Sequence, residues 1–150
     1  MTTPALFPTT DLVASAWIAS IPGLEASMVG PTLPKDVTKW ADSGFVQVMT
    51  VGGTPNLYLP VAQPVVAVDC WAVKPGSDKA PWGRANYLAE LIRSATYDHA
   101  TVQRDLVLPG TYPEARCLTV YPATEPRRVY SDDGGYARFN FDLAFSWIVP

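Results

Sequence analysis

Residues 136–149 read YARFNFDLAFSWIV, and their alternation is the clearest pattern in the chain. Ala137, Phe139, Phe141, Leu143, Phe145, Trp147 and Val149 fall on one parity, and Arg138, Asn140, Asp142 and Ser146 on the other. Successive side chains of a strand point to opposite faces, so the segment reads as a β-strand with one apolar and one polar side. At roughly 3.3 Å per residue it spans about 40 Å, longer than most strands. Asp132, Asp133, Gly134 and Gly135 form the turn that precedes it.

Three further strands are legible upstream of it. ARCLTVY (115–121) is one, and FVQVMTV (45–51), closed by Gly52-Gly53, is another. The third, VVAVDCWAV (65–73), alternates as well: Val66, Val68, Cys70 and Ala72 share one face, Val65, Ala67, Asp69, Trp71 and Val73 the other. About a dozen residues between the strands at 45 and 65 predict an extended hairpin arm, restricted by Pro55, Pro60 and Pro64. Proline donates no ladder hydrogen bond, so arm and strand are free to face another subunit.

Two segments carry helical spacing instead. Leu12, Val13, Ala16, Trp17 and Ser20 predict a helix over about residues 10–21, capped by Thr10 or Asp11 and stopped at Pro22-Gly23. Ala85, Leu88, Ala89, Ile92 and Ala95 or Thr96 recur at three and four residues from Trp82 to about Tyr97, with Pro81 placed at the start. Residues 22–44 make a long connection, with a short helical turn expected after Asp36. The order helix, two strands, helix, two strands predicts one α+β domain over residues 1–150. Its sheet is antiparallel or mixed, with about four main strands, two helices on one face and a polar face left open to water or partners.

Composition narrows the function. Net charge is −3 and the only adjacent basic pair is Arg127-Arg128, whereas a protein gripping nucleic acid needs clustered Lys and Arg. Charged residues are only 17% of the chain, a thin coat consistent with surface covered by neighbours. Nowhere do 18 apolar residues run together, so no membrane span is expected. The first basic residue is Lys35 and Asp11 breaks the early apolar stretch, so no secretory leader is expected and the chain is placed in the cytoplasm. Cys70 and Cys117 are then free thiols.

Catalytic and metal constellations are missing from the sequence. His99 is the only histidine and sits in the polar stretch TYDHATVQ, where it reads as a surface residue. There is no C-x-x-C, H-E-x-x-H, G-x-x-x-x-G-K-[ST] or G-x-G-x-x-G. Asp132-Asp133, the only adjacent carboxylates, fit their turn better than an acid–base pair. Cys70 has apolar neighbours and no nearby cation, the surroundings of an inert thiol. Asp69, on the face with Trp71, is expected either exposed beside a half-buried indole or paired across a subunit boundary. No catalytic residue, metal or cofactor is expected.

LVASAWIASIPGL (12–24), VGPTLP (29–34), WADSGFVQV (40–48) running into VGG (51–53), PVVAVDCWA (64–72) and APWGRANYLAELIRSA (80–95) together resemble the tail terminator proteins of long-tailed, siphovirus-type bacteriophages, especially those of actinobacteria. The likeness covers most of residues 10–97; the last third agrees in pattern more than in words. It implies an α+β virion structural protein that forms a hexameric ring on the head-proximal end of the tail tube. Such a ring stops tube polymerisation and offers the docking surface for the head connector. The implied partners are other copies of the chain (a homo-hexamer), the major tail tube protein and the head–tail connector protein, with genomic DNA passing through the lumen without specific binding. Alternatives are another head–tail joining or tail-completion protein, or a small ligand-binding domain or enzyme.

A ring that closes by rotation needs two different patches on each subunit. The candidates are the arm at 52–64, with Pro55, Asn56, Leu57 and Tyr58; the loop at 74–81 and the residues after it, with Lys74, Pro75, Trp82 and Arg84; the loop at 22–44; and the basic pair Arg127 and Arg128. Arg84 has two readings, a cap or ion pair at an interface and a solvated first-turn arginine. Arg127-Arg128 either meets an acidic partner or is a solvated loop.

Overall fold

The computed structural model describes residues 6–130 and 135–150. Asp132, Asp133 and Gly134 of the expected turn lie outside the described residues. The elements are α1 (Thr10–Ala19), β1 (Val29–Gly30), β2 (Phe45–Gly53), β3 (Pro64–Val73), α2 (Trp82–Thr96), β4 (Arg104–Leu106), β5 (Ala115–Pro122), β6 (Arg127–Arg128) and β7 (Tyr136–Ile148). Single turns of 3-10 helix occur at Ala26–Met28 and at Val37–Lys39, the second being the turn expected after Asp36. Asp36 starts it by accepting from the Thr38 amide at 3.1 Å and hydroxyl at 2.7 Å.

The fold is α+β, but the sheet has seven strands and not four. Its order is β1-β2-β3-β7-β5-β4, with β6 paired to β7 beside β5. β1 runs parallel to β2 and every other pairing is antiparallel, so the sheet is mixed. The extra strands β1, β4 and β6 have two or three residues each, too few to show a period of two. β7 is the axis: β3 pairs along one edge from Tyr136 to Ala144, and β5 and β6 divide the other.

Alternation along β7 and β3 decides where the core lies. Ala137, Phe139, Phe141, Leu143, Phe145 and Trp147 are buried, as are Val66, Val68, Cys70 and Ala72 of β3 and Val46 and Val48 of β2. Both helices lie against this face. Trp17 of α1 meets Phe145 edge-on with ring centroids 5.9 Å apart, and Trp82 of α2 meets Phe139 edge-on at 6.1 Å. α2 buries Ala85, Leu88, Ala89, Ile92 and Thr96, the expected stripe. α1 buries Val13, Ala14, Trp17 and Ile18 and touches strands at both edges of the sheet, because the sheet curls around it.

Local chemistry departs from expectation in three places. The cap of α1 is Thr9, whose Oγ1 accepts from the Leu12 amide at 3.3 Å, and neither Thr10 nor Asp11 serves. Asp11 Oδ1 instead accepts from the amide (2.9 Å) and hydroxyl (2.8 Å) of Thr50, tying α1 to the edge of β2. The second face of the sheet is not wholly open. The 31–44 segment folds Trp40 across one end of it, beside Tyr136 at 6.1 Å, and Tyr136 meets Trp71 edge-on at 6.3 Å. Trp40 is 2% exposed, with its indole N–H donating to the Pro34 carbonyl at 3.1 Å. Lastly, Gly52 and Gly53 do not form a turn after β2 but are its last two residues, paired with Val65 and Pro64 across an irregularity between Thr50 and Gly52. Gly53 has φ +114, and a Cβ there would lie 2.4 Å from the Gln63 carbonyl oxygen, so this corner requires glycine.

Candidate functional site

The ten candidate residues fall at or toward the two ends of β3. Pro55, Asn56, Leu57 and Tyr58 lie in the arm, residues 54–63, that joins Gly53 to Pro64. Lys74, Pro75, Trp82, Arg84, Arg127 and Arg128 gather toward the Val73 end. β3 has ten residues, so at roughly 3.3 Å per residue about 30 Å separates its ends.

At the arm, local hydrogen bonds set the backbone while the side chains stay free. Asn56 Oδ1 accepts from the amides of Tyr58 (2.9 Å) and Leu59 (2.8 Å), the side-chain turn that asparagine favours. The turn throws Leu57, Tyr58 and Leu59 outward, at 84%, 88% and 60% exposure. Ala62 and Trp147 exchange two backbone bonds of 2.9 and 3.0 Å, which anchor the return leg to β7. Met49 and Val51 of β2 are also more than half exposed, as are Leu6 and Phe7, and Phe7 lies 6.2 Å from Trp147.

The opposite end is knit together by its own side chains. Arg128 lies over the Trp82 ring at 4.9 Å, and Tyr130 packs against the same ring at 5.5 Å. A cation over an indole face is attracted by the ring quadrupole, so the pair is held within the chain. Arg84 donates from two nitrogens to the Ser43 carbonyl, at 3.2 and 2.8 Å, and lies 5.1 Å from the Tyr87 ring centroid. It thereby staples the first turn of α2 to the turn before β2; neither a helix cap nor a solvated side chain describes it. Lys74 and Pro75 occupy an exposed turn closed by Ser77 N–H donating to Lys74 O at 3.1 Å. Arg127, next in sequence to Arg128, points to the other face and is exposed.

That other face holds a polar cluster. Asp69 Oδ1 accepts from Arg138 Nε and from Asn140 Nδ2, both at 2.9 Å, and Arg138 lies over the Trp71 ring at 5.1 Å. Trp71 donates to Gln47 Oε1 at 3.1 Å, and Gln47 donates on to the Pro31 carbonyl at 3.2 Å. Asp69 is therefore paired within its own chain rather than left open beside the indole. Its partners come from β7, 69 and 71 residues away.

Cys70 is fully buried, and desolvation, reinforced by the adjacent Asp69 carboxylate, pushes its thiol far up. Burial pushes the Cys117 thiol up to about 12 against the opposing pull of Arg104. Both are protonated at neutral pH, and the thiolate is the reactive form. His99 lies in an exposed stretch and lines a shallow cavity with Tyr97, Gln103 and Tyr121. Among the described residues no three His, Cys, Asp or Glu side chains converge as a metal site, and no helix is long and apolar enough to cross a membrane.

The candidate loop at 22–44 contributes Ala26, Val29, Gly30 and Pro31 to a concavity that was not itself expected. An apolar groove of ≈ 660 Å³ runs along the outer side of α1, lined by Leu12, Ala16 and Ala19, by Val29, and by Val107 and Leu108 beyond β4. The sequence signal for it was available: residues 12–24, 26–34 and 106–113, which supply its walls, contain no Asp, Glu, Lys or Arg. No family model matches the chain, and comparison with curated proteins finds no match.

Proposed function

We propose that the chain is a virion structural protein, a tail terminator that forms a ring on the head-proximal end of a siphovirus-type tail tube. The ring stops tube growth and presents the surface to which the head connector docks. On this reading the protein is a homo-hexamer assembled in the host cytoplasm and carried in the neck of the virion, with DNA sliding through its lumen. The observation that carries the reading is a pair of unlike, unmatched surfaces, the outward-facing arm at one end of β3 and the apolar groove along α1. A rotationally closed ring joins one patch of each subunit to a different patch of the next, and one self-complementary surface would give only a two-fold dimer. The exposed, uncharged arm and the apolar groove along α1 are unlike in this way, and the sequence resemblance over residues 10–97 supplies the phage setting.

The test is elongation of purified tail tube protein with and without this chain, followed by negative-stain imaging. Ring-capped tubes whose growth is arrested support the terminator role. Tubes of the same uncontrolled length in both samples reject it, and rings that bind finished tubes without arresting growth favour another head–tail joining component.

A further inference from the structure

We propose that the groove over α1 is the receptor for the 54–63 arm of a second copy of this chain. The inference deepens the ring reading, on which it rests for the identity of the partner.

The groove is the mouth of the curled sheet. β1 and β4 are the two ends of the strand order, α1 lies between them, and the walls come from β1 on one side and the segment after β4 on the other. Every residue lining it is uncharged. The arm belongs to the longest charge-free run of the chain, residues 43–68. Leu57, Tyr58 and Leu59 are thus exposed with no charge nearby in sequence to solvate them, and the complement of such a segment is a concavity that buries no ion. Large apolar side chains entering an uncharged groove gain burial without a charge to desolvate, and tyrosine is a frequent anchor of that kind.

Pro55 and Pro60 restrict the arm's backbone on either side of the Asn56 turn, which projects Leu57, Tyr58 and Leu59 into solvent. The chain's own arm is directed elsewhere: it leaves the sheet at β2 and β3, and its return leg is bound to central β7 at Trp147. Each copy thus offers one arm and one groove, and repetition of that unlike contact generates a ring when its rotation closes.

Leu57→Cys and Val107→Cys, both at exposed positions, test the contact under mild oxidation, with Cys70 and Cys117 buried and silent. The expected result is a disulfide-linked dimer when the two single variants are mixed, absent from either alone, and a ladder of linked species from the double variant. A Tyr58→Asp variant should lose self-association while keeping its unfolding transition. An intrachain link only in the double variant, or no link between copies under conditions where the wild-type chain self-associates, overturns the proposal; so does a chain that stays monomeric with no link. Rings that persist in Tyr58→Asp without cross-linking reject the arm contact and leave the terminator reading standing. Cross-linked rings that fail to arrest tube growth do the reverse.

Discussion

The two ends of β3 solve the problem of exposed aromatic and apolar side chains in opposite ways. At the Val73 end, Arg128 and Tyr130 each pack on the Trp82 ring, Arg84 closes on Ser43, and Asp69 is shared by Arg138 and Asn140. At the arm end the backbone is fixed by Asn56 and by the Ala62–Trp147 pair, yet Leu57, Tyr58 and Leu59 point into solvent. An end whose side chains satisfy each other contributes to folding. An end whose backbone is ordered but whose side chains are unmatched has had part of its ordering entropy removed in advance of binding.

The contrast makes ordered predictions. The reference is the buried axis: Phe141→Ala, at a position 0% exposed in mid-β7, should cost about 3–5 kcal/mol in chemical denaturation, because it removes a ring from a closed core. Next, Asp69→Asn should cost about 1–2 kcal/mol, since it weakens charge-assisted bonds to Arg138 and Asn140 that are partly screened by solvent. A neutral result would mean that the Asp69 charge adds no net stability to the single chain. Arg84→Ala should cost about 1 kcal/mol through the lost Ser43 bonds, and Arg84→Lys should restore less than half, because a single ammonium cannot reproduce the two-nitrogen contact.

The cysteines sharpen the same point with pH. Cys117 is raised from the ordinary value of 9.0 to about 12 in the folded chain, so between those values the unfolded chain has already lost the proton that the folded chain keeps. Stability from this group is fully present below pH 9.0 and is lost as pH rises toward about 12, and Cys117→Ser should flatten that loss in urea titrations. The smallest effect belongs to the arm. Tyr58→Ala should change monomer stability by less than about 0.5 kcal/mol. A cost as large as that of Asp69→Asn would show that the arm packs on its own chain.

Much of this architecture was legible because burial leaves a period. Phe139, Phe141, Leu143 and Phe145 alternate with polar residues, Val66, Val68 and Cys70 fall on the same side of their strand, and Leu88 and Ile92 recur at helical spacing. The short strands were hidden, since Arg127-Arg128 forms a strand only because Asn140 and Phe139 stand opposite. Long-range partners were hidden for the same reason: Asp11 reads as a helix cap until Thr50, 39 residues on, claims its carboxylate. Of the candidate surfaces, the arm was readable from its prolines and apolar residues, whereas the groove depends on the curl of the sheet bringing residues 29 and 107 to the same helix.

β7 has one more consequence, for timing. It occupies the middle of the sheet but comes after every other strand along the chain. While residues 136–148 are still to be synthesised, β3 and β5 have no common neighbour and the two halves of the sheet cannot join. A chain on the ribosome therefore holds its β2–β3 ribbon without the strand that anchors it, and slow, long-range closure follows translation of the last strand. The two halves of the sheet are thereby joined only once β7 is available, a checkpoint imposed by topology alone.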